Sequence, residues 1–379
     1  MRNIMSESVL KRIERDLKCI AELKQIRTLS LPHGHDFCSN DYLALSRHPE
    51  IIEAVMEDLA HSGLGSTSSR FIRGERDKNC TLEKRLAEFK RSEKALLFSS
   101  GYSANIGALS CLIKKGDLVF SDALNHASII DGLRLSKAQI IIYPHLDVQH
   151  LRGILKDTPQ GPAKFLITES LFSMDGDIAP LPIYADLCHK YDVALMVDEA
   201  HAVGIIGQNG SGLIEHFGLE DEVLLSINGL GKAFGCYGAF AAAKEQVIEY
   251  LVQTARTLMF STAPPPVLLS AIDRALSLVK SGDHLRKKLF HNIALLNESL
   301  TECGLIRPDK ELTPIMPIML KNNHEAMEAS NKMRALGYDI RAIRPPTVPE
   351  GSARLRLCTN VTHTDDLLLE VVSRLREVL

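Results

Sequence analysis

The chain reads as an α/β protein with a mostly parallel central sheet flanked by helices and a smaller α+β region at its carboxyl end. Three observations point there. Short apolar runs recur between residues 93 and 243, amphipathic stretches separate them, and the pattern changes after the proline cluster "FSTAPPP" at Phe260 to Pro266. Strands buried on both faces of a parallel sheet are apolar throughout rather than alternating, and helices between them complete an α/β layer. Consecutive prolines break regular structure, so the cluster marks a change of element type.

Taken in order, Val9, Leu10, Ile13, Leu17, Ile20 and Leu23 stand at helical spacing and predict an amphipathic helix within residues 6–27. Its stripe is expected to pack on the body or on a partner chain. Seven strands are predicted from "KALLFSS", "DLVFSD", "QIIIYPH", "KFLITES", "VALMVDEA", "VLLSING" and "GAFAAAK". Beyond the prolines, 267–302 reads mostly as helix, "TPIMPIML" as strand, 323–336 as helix, "SARLRLCTN" as strand and 364–379 as helix. The expected division is 1–45 for the N-terminal helix and connecting segment, 46–263 for a large α/β domain, and 264–379 for an α+β domain.

Bulk properties narrow the function. With 379 residues, 45% hydrophobic, the chain can bury one large core and a satellite. A net charge of -3 with both signs interspersed gives no footprint for nucleic acid or an anionic membrane, and neither is expected as a partner. The eight cysteines form no C-x-x-C pair and no zinc-spaced cluster with histidine, so no metal is expected. Reduced thiols, a charged N-terminus and no long apolar run imply a soluble cytoplasmic protein.

Four stretches carry chemistry. In "NGLGKAFGCYGAF" Lys232 follows a buried strand in a glycine-rich turn. A phosphate-clamping Walker loop is excluded, because Ser226 replaces its leading glycine and Ala233 its hydroxyl. A dinucleotide fingerprint also fails, since Phe234 stands at the third glycine position. In "VALMVDEAHAVG" Asp198 ends a strand at the edge where α/β proteins bind ligands, with His201 three residues on; a helix cap is an equally good reading of Asp198 alone. "SSGYSAN" offers Ser100, Gly101 and Tyr102 at a helix start, either a phosphate cradle or an ordinary capped turn. His126, in "LNHASIIDGL", is structural or catalytic on its own terms.

Together these pieces suit one cofactor. Pyridoxal phosphate needs a lysine for its Schiff base, an acid to keep its ring nitrogen protonated, a phosphate cradle, a stacking ring and an arginine for the substrate carboxylate. An acid about 4 Å from the ring nitrogen, at an effective dielectric of about 20, contributes about 4 kcal/mol before desolvation.

The sequence resembles the α-oxoamine synthases, fold-type I pyridoxal-phosphate enzymes that join an amino acid to an acyl thioester with loss of carbon dioxide. The similarity runs from "FCSNDYLALSRHPE" through "SGYSAN", "LNHASIIDGLRLSKA", "FSMDGDIAPLP", "VDEAHAVGIIGQNGSG", "GLGKAFG" and "FSTAPPP" to "IRPPTVPEGSARLRLCTNVTHT". The resemblance implies that Lys232 is the Schiff-base lysine and proton carrier, Asp198 the partner of the ring nitrogen, His201 of the ring phenolate, and His126 the stacking ring. It makes Ser100, Gly101 and Tyr102 the phosphate cradle, with Thr262 reaching in from the neighbouring subunit of a homodimer whose active sites lie at the interface. Glu169 and Ser173 become cofactor or substrate contacts. Asn40 and Arg356 become the substrate carboxylate clamp, with Arg344 as a second candidate and Arg354 assigned to the surface or an ion pair.

Within the family the chain looks most like the branch that condenses L-alanine with a pimeloyl thioester, delivered by coenzyme A or an acyl carrier protein, for biotin synthesis. Glycine with acetyl-CoA is the runner-up, and a degenerate cofactor-binding protein or an aminotransferase are the readings outside that chemistry. Lys24 and Arg27 are candidates for the distal end of the acyl chain. The chain departs from the family pattern at Asn79, at "HLD" (145–147), in "GSTSSR", and at Gly229, where a phosphate-binding hydroxyl is usual. A Gly229→Thr exchange is therefore expected to tighten cofactor retention.

Overall fold

The computed structural model describes residues 6–23, 25–309 and 311–379. Its chain forms two compact units. One takes in the chain up to Ser39, Asn292–Thr359 and His363–Leu379; the other holds Asn40–His291 and Asn360–Thr362.

The first unit opens with α1 (Glu7–Glu22) and β1 (His35–Asp36). No residue of α1 is buried, and its apolar stripe, Leu17 included, stands exposed. The second unit begins with α2 (Pro49–Ser62) and α3 (Asp77–Lys90). Strands and helices then alternate: β2 (Lys94–Phe98), α4 (Gly101–Leu112), β3 (Leu118–Asp122), α5 (Ala127–Ser136), β4 (Gln139–Tyr143), α6 (Val148–Asp157), β5 (Lys164–Glu169), α7 (Leu181–Tyr191) and β6 (Ala194–Asp198). After them come α8 (Leu213–Phe217), β7 (Val223–Gly229), β8 (Ala239–Ala243), α9 (Glu245–Thr254), α10 (Arg256–Met259) and α11 (Pro266–Ser281).

All seven apolar runs become strands of one sheet, in the order β2-β8-β7-β6-β5-β3-β4. Every neighbouring pair is parallel except those made by β8, which runs against both β2 and β7. The reversal has a simple cause. Only residues 230–238 join β7 to β8, and a parallel return needs a crossover of about a dozen residues or more. Because β2, β3, β5, β6 and β7 share one direction, their carboxyl ends meet at one edge. Phe98, Val119, Ile167, Met196 and Ile227 from the sheet pack with Ala108 and Leu109 of α4 and Leu133 of α5 into the core beneath that edge. Each such large side chain contributes about 1.5–3 kcal/mol when fully buried.

The helix α12 (Asp283–Glu302) carries the chain back to the first unit. There β9 (Ile315–Met319), α13 (Asn323–Ala335), β10 (Tyr338–Asp339), β11 (Arg341–Ile343), β12 (Arg354–Cys358) and α14 (Asp365–Val378) follow. β12 is the central strand of an antiparallel sheet ordered β11-β12-β9, while β1 pairs with β10. Leu368, Val371 and Leu375 form the buried face of α14. Among the described residues no helix is long and apolar enough to cross a membrane, and no group of three or more His, Cys, Asp or Glu residues could hold a metal ion.

Candidate active site

A cavity of about 300 Å³ opens at the carboxyl edge of the large sheet, within the volume range of small-ligand sites. Asn40, Ser100, Gly101, Tyr102, His126, Glu169, Asp198 and Lys232 line it, all within one unit. Two wider clefts, of about 960 and 870 Å³, lie along α3 with α9 and along α2 with α11. Their charged residues are largely paired with one another, as in Arg70 with Glu75 and Glu83, so chemistry rather than volume identifies the site.

Two carboxyl groups face each other across the strand ends. Asp198 closes β6 and Glu169 closes β5, and the two are register partners. Asp198 is held by neutral donors: Oδ1 accepts from the Ala200 N–H at 2.8 Å and Oδ2 from Asn105 Nδ2 at 2.6 Å. Glu169 is buried, and its Oε1 has no hydrogen-bond partner among the described residues. Burial, and then the negative charge of Asp198, push its pKa up to about 8 against the opposing pull of Lys232 and of backbone N–H groups at His126 and Ser173. Burial thus favours the protonated form of Glu169 over its carboxylate.

His126 caps α5. Its Nδ1 lies 2.7 Å from Ser128 Oγ and accepts from the Ser128 N–H at 3.2 Å. The ring stands edge-on to Tyr102, 6.4 Å between centroids. Burial lowers its pKa; Asp198 works against that shift and Lys232 with it. His201 is buried beside the same strand end, its Nδ1 2.8 Å from the Tyr42 hydroxyl, which donates to Asn40 Oδ1 at 3.1 Å. Thus Asn40 and His201, far apart in sequence, share one bridging phenol.

Lys232 is half-buried in the turn that returns β7 to β8. Gly235 in that turn has φ +62, and a Cβ there would strike the Leu45–Ser46 backbone, so only glycine fits. Ser100 caps α4 through a reciprocal pair with Ser103, and the first-turn N–H groups of Gly101 and Tyr102 are among those that a helix leaves without internal acceptors.

The Gly229 expectation is overturned. A Cβ at this position would lie 2.9 Å from the Ala200 Cβ and 3.4 Å from its Cα, closer than packed carbons tolerate. This glycine makes room for the residue that follows Glu199, so a threonine would wedge β7 from the β6 turn instead of adding a phosphate ligand.

Elsewhere, Ser173 is buried near Glu169 and Thr262 is exposed in the break before α11; neither lines the cavity. Arg356 lies buried on β12 with Nη1 3.0 Å from Cys358 Sγ. Arg354, expected at the surface or in an ion pair, is also buried, as is every residue of β12, and donates Nε to the Ser352 carbonyl at 2.9 Å. Arg344 donates to the Ile26 carbonyl at 3.2 Å, and burial and the Arg27 cation push its pKa down. Lys24 lies outside the described residues. Asn79 is buried in α3 and does not line the cavity.

Asn105, Ser128 and Tyr42 were not legible as site residues. Asn105 sits in the quoted "SGYSAN" and Ser128 two residues after His126, yet polar residues in a helix's first turns read as caps.

A lysine, an acid and a helix N-terminus converging on the carboxyl edge of such a sheet is the layout of the fold-type I transferases. The chain belongs to the aminotransferase class I and II family, whose profile matches residues 32–375, and within it to the α-oxoamine synthases. It is 43% identical to 8-amino-7-oxononanoate synthase of Nitrosospira multiformis over 346 residues, 90% of this chain and 86% of that one. Among solved structures, 8-amino-7-oxononanoate synthase of Francisella tularensis superposes with a TM-score of 0.80 at 32% identity, covering 91% of this chain and 97% of that one. A lysine-to-alanine variant of serine palmitoyltransferase from S. paucimobilis, described with a bound PLP–myriocin aldimine, gives 0.90 at 26% identity, covering 100% and 98%.

Proposed function

We propose that this chain is a pyridoxal-phosphate-dependent acyltransferase that condenses L-alanine with a pimeloyl thioester and releases carbon dioxide, as 8-amino-7-oxononanoate synthases do. The observation that carries the reading is the convergence of Lys232, Asp198, His126 and the α4 N-terminus on one cavity, in a chain 43% identical to such a synthase over 90% of its length.

The residues present fit the cofactor. The cavity offers an amine, an acid held by neutral donors, a flat ring and unsatisfied helix N–H groups, and the buried Oε1 of Glu169 has no hydrogen-bond partner among the described residues. Pyridoxal phosphate, when bound, supplies an electron sink for negative charge developing at the amino acid's α-carbon.

The chain's own groups supply the rest. Lys232 Nζ is the amine that would hold the cofactor's aldehyde carbon, and once displaced by the amino acid it would be the base placed to take the α-carbon proton. Asp198 would pair with the protonated ring nitrogen, an opposite charge that favours that proton. His126 would cover one ring face, and His201, braced by Tyr42, would stand beside the phenolic oxygen. Ser100 and the N–H groups of Gly101 and Tyr102 receive the phosphate, with Thr262 of a second copy completing the cradle. Glu169 lines the substrate side, and Ser173 stands behind it through a backbone hydrogen bond. Asn40, on the cavity wall, would receive the amino acid's carboxylate; a planar guanidinium fork suits the same task, and Arg356, or alternatively Arg344, is the candidate for it.

A homodimer with interfacial active sites accounts for the exposed α1 stripe. A sixteen-residue helix with no buried residue is marginal alone, and a second copy is the cover that its apolar face requires. No disulfide joins the eight cysteines, which supports a cytoplasmic setting. The thioester comes from coenzyme A or a carrier protein.

One assay tests the reading. Purified holoenzyme is given alanine, glycine or serine with pimeloyl- or acetyl-CoA, and products are identified by mass. Alanine with the pimeloyl thioester is expected to lead; faster product from glycine and acetyl-CoA overturns the substrate assignment, and no carbon-carbon bond in any combination overturns the reaction.

A further inference from the structure

The hydrogen-bond donors around His126 fix its protonation state. The chain of contacts starts at Asp198, whose carboxylate can only accept. Asn105 Nδ2 must therefore be the donor of the 2.6 Å bond to Oδ2, which fixes the orientation of the amide. The second amide hydrogen is then directed at Ser128 Oγ, 3.0 Å away. An amide nitrogen offers no lone pair, so Ser128 receives there and keeps its own hydrogen for its other neighbour, His126 Nδ1 at 2.7 Å. The Ser128 backbone N–H points at the same nitrogen from 3.2 Å. Two donors converge on Nδ1, and a nitrogen that receives two donors carries a lone pair. The ring proton must sit on Nε2, and the doubly protonated imidazolium has no place.

From this we propose that Asn105 and Ser128 are positioning residues: they lock His126 as the neutral Nε2–H tautomer, and the same Asn105 amide holds Asp198 in register for the cofactor nitrogen. The second half rests on the proposed pyridoxal-phosphate site; the first does not. Both residues are buried, Asn105 on α4 and Ser128 on α5, so each helix contributes one link. The function is electrostatic. A neutral ring can lie against a cationic one without repulsion, and Nδ1, already engaged twice, cannot carry protons away from the reacting carbon.

The ionisable surroundings agree. Asp198 at the end of β6 favours the imidazolium, while burial and Lys232 in the β7–β8 turn oppose it. Tyr102 on α4 meets the ring edge-on, and Glu169 on β5 accepts from the His126 backbone rather than from its ring.

The test reads the tautomer directly. Nitrogen-15 NMR of histidine-labelled protein, with and without pyridoxal phosphate, is assigned to His126 by its loss in His126→Gln. Expected at neutral pH are an unprotonated Nδ1 and a protonated Nε2. In Ser128→Ala the protonation midpoint of His126 should rise by about one pH unit, since one donor to the neutral form is lost. Ser128→Thr, which keeps the hydroxyl, should restore the wild-type midpoint. A protonated Nδ1 at neutral pH, or a midpoint unmoved in Ser128→Ala, overturns the proposal. A locked tautomer in a protein that forms no Lys232-dependent visible band upholds the assignment for His126 and sinks the cofactor reading instead.

Discussion

Asp198 and Glu199 are neighbours in the chain and carry the same functional group, yet they live in opposite environments. Asp198 faces the cavity and is held by two neutral donors, Ala200 N–H and the Asn105 amide. Glu199 is fully buried on the other side and is saturated: Oε2 receives Lys90 Nζ at 2.5 Å, and Oε1 receives the Leu213 and Ile214 N–H groups at 2.6 and 3.1 Å. Lys90 also donates to the Ser211 carbonyl at 2.6 Å. Glu199 thus ties the start of the post-β6 loop to the start of α8, and its charge is cancelled on the spot. Asp198, whose two donors are neutral, faces the cavity that Lys232 also lines. The lesson is that a working acid is distinguished from a scaffolding acid by which of its partners are charged, not by its burial.

The sharpest way to break this contrast is Asp198→Asn. The ion pair with a ring nitrogen is worth about 4 kcal/mol, so turnover should fall by roughly three orders of magnitude, while thermal unfolding of the apoprotein changes little. A comparable loss of melting temperature would place Asp198 with Glu199 as a scaffold group. Lys90→Met should do the reverse. Stranding the Glu199 carboxylate costs about 3 kcal/mol or more, read as a lower urea midpoint, with turnover per folded molecule unchanged. Adding Glu199→Gln should recover part of that loss.

Gly229→Thr probes the packing of β7 against Ala200, the residue that follows the two acids. Overpacking against Ala200 costs about 1–3 kcal/mol and should loosen cofactor retention in dialysis; tighter retention would reinstate the phosphate-ligand reading. The smallest effect concerns Glu169. Its pKa rises from 4.5 to about 8 in the folded apoprotein, so the fold binds more protons than the unfolded chain between those values. The stability it contributes is complete below 4.5 and is lost as pH climbs to about 8. Glu169→Gln should flatten the decline of apoprotein melting temperature over that window. His145, bonded to Asp122 and Asp177 and raised to about 9, contributes a decline of the same sign at higher pH, so only the difference between variant and wild type is diagnostic.

Much of the fold was legible because strands buried on both faces are mainly apolar, and all seven runs are strands, even β4 with its partly exposed residues. The direction of β8 was not legible from its alanine-rich run; it follows from the length of the turn before it. Lys232 and Asp198 were legible because glycine and a strand-ending acid punctuate apolar sequence. Lys90 was not, since a lysine on an amphipathic helix reads as solvated until Glu199 is placed beside it. Arg354 was expected at the surface or in an ion pair, and the burial of every residue of β12 removes the first of these. Asn105 and Ser128 act only through each other, across two helices that no local pattern connects.

The short return from β7 to β8 sets the position of the reactive amine in discrete steps. Both legs of the hairpin are bonded into the sheet, with Gly229 opposite Ala239. A slip of one residue would move the tip by about 3.3 Å and turn every side chain to the other face. No continuum of nearby lysine placements is open to this scaffold, so substitutions along the two legs should leave the amine where it is or remove it from the site altogether.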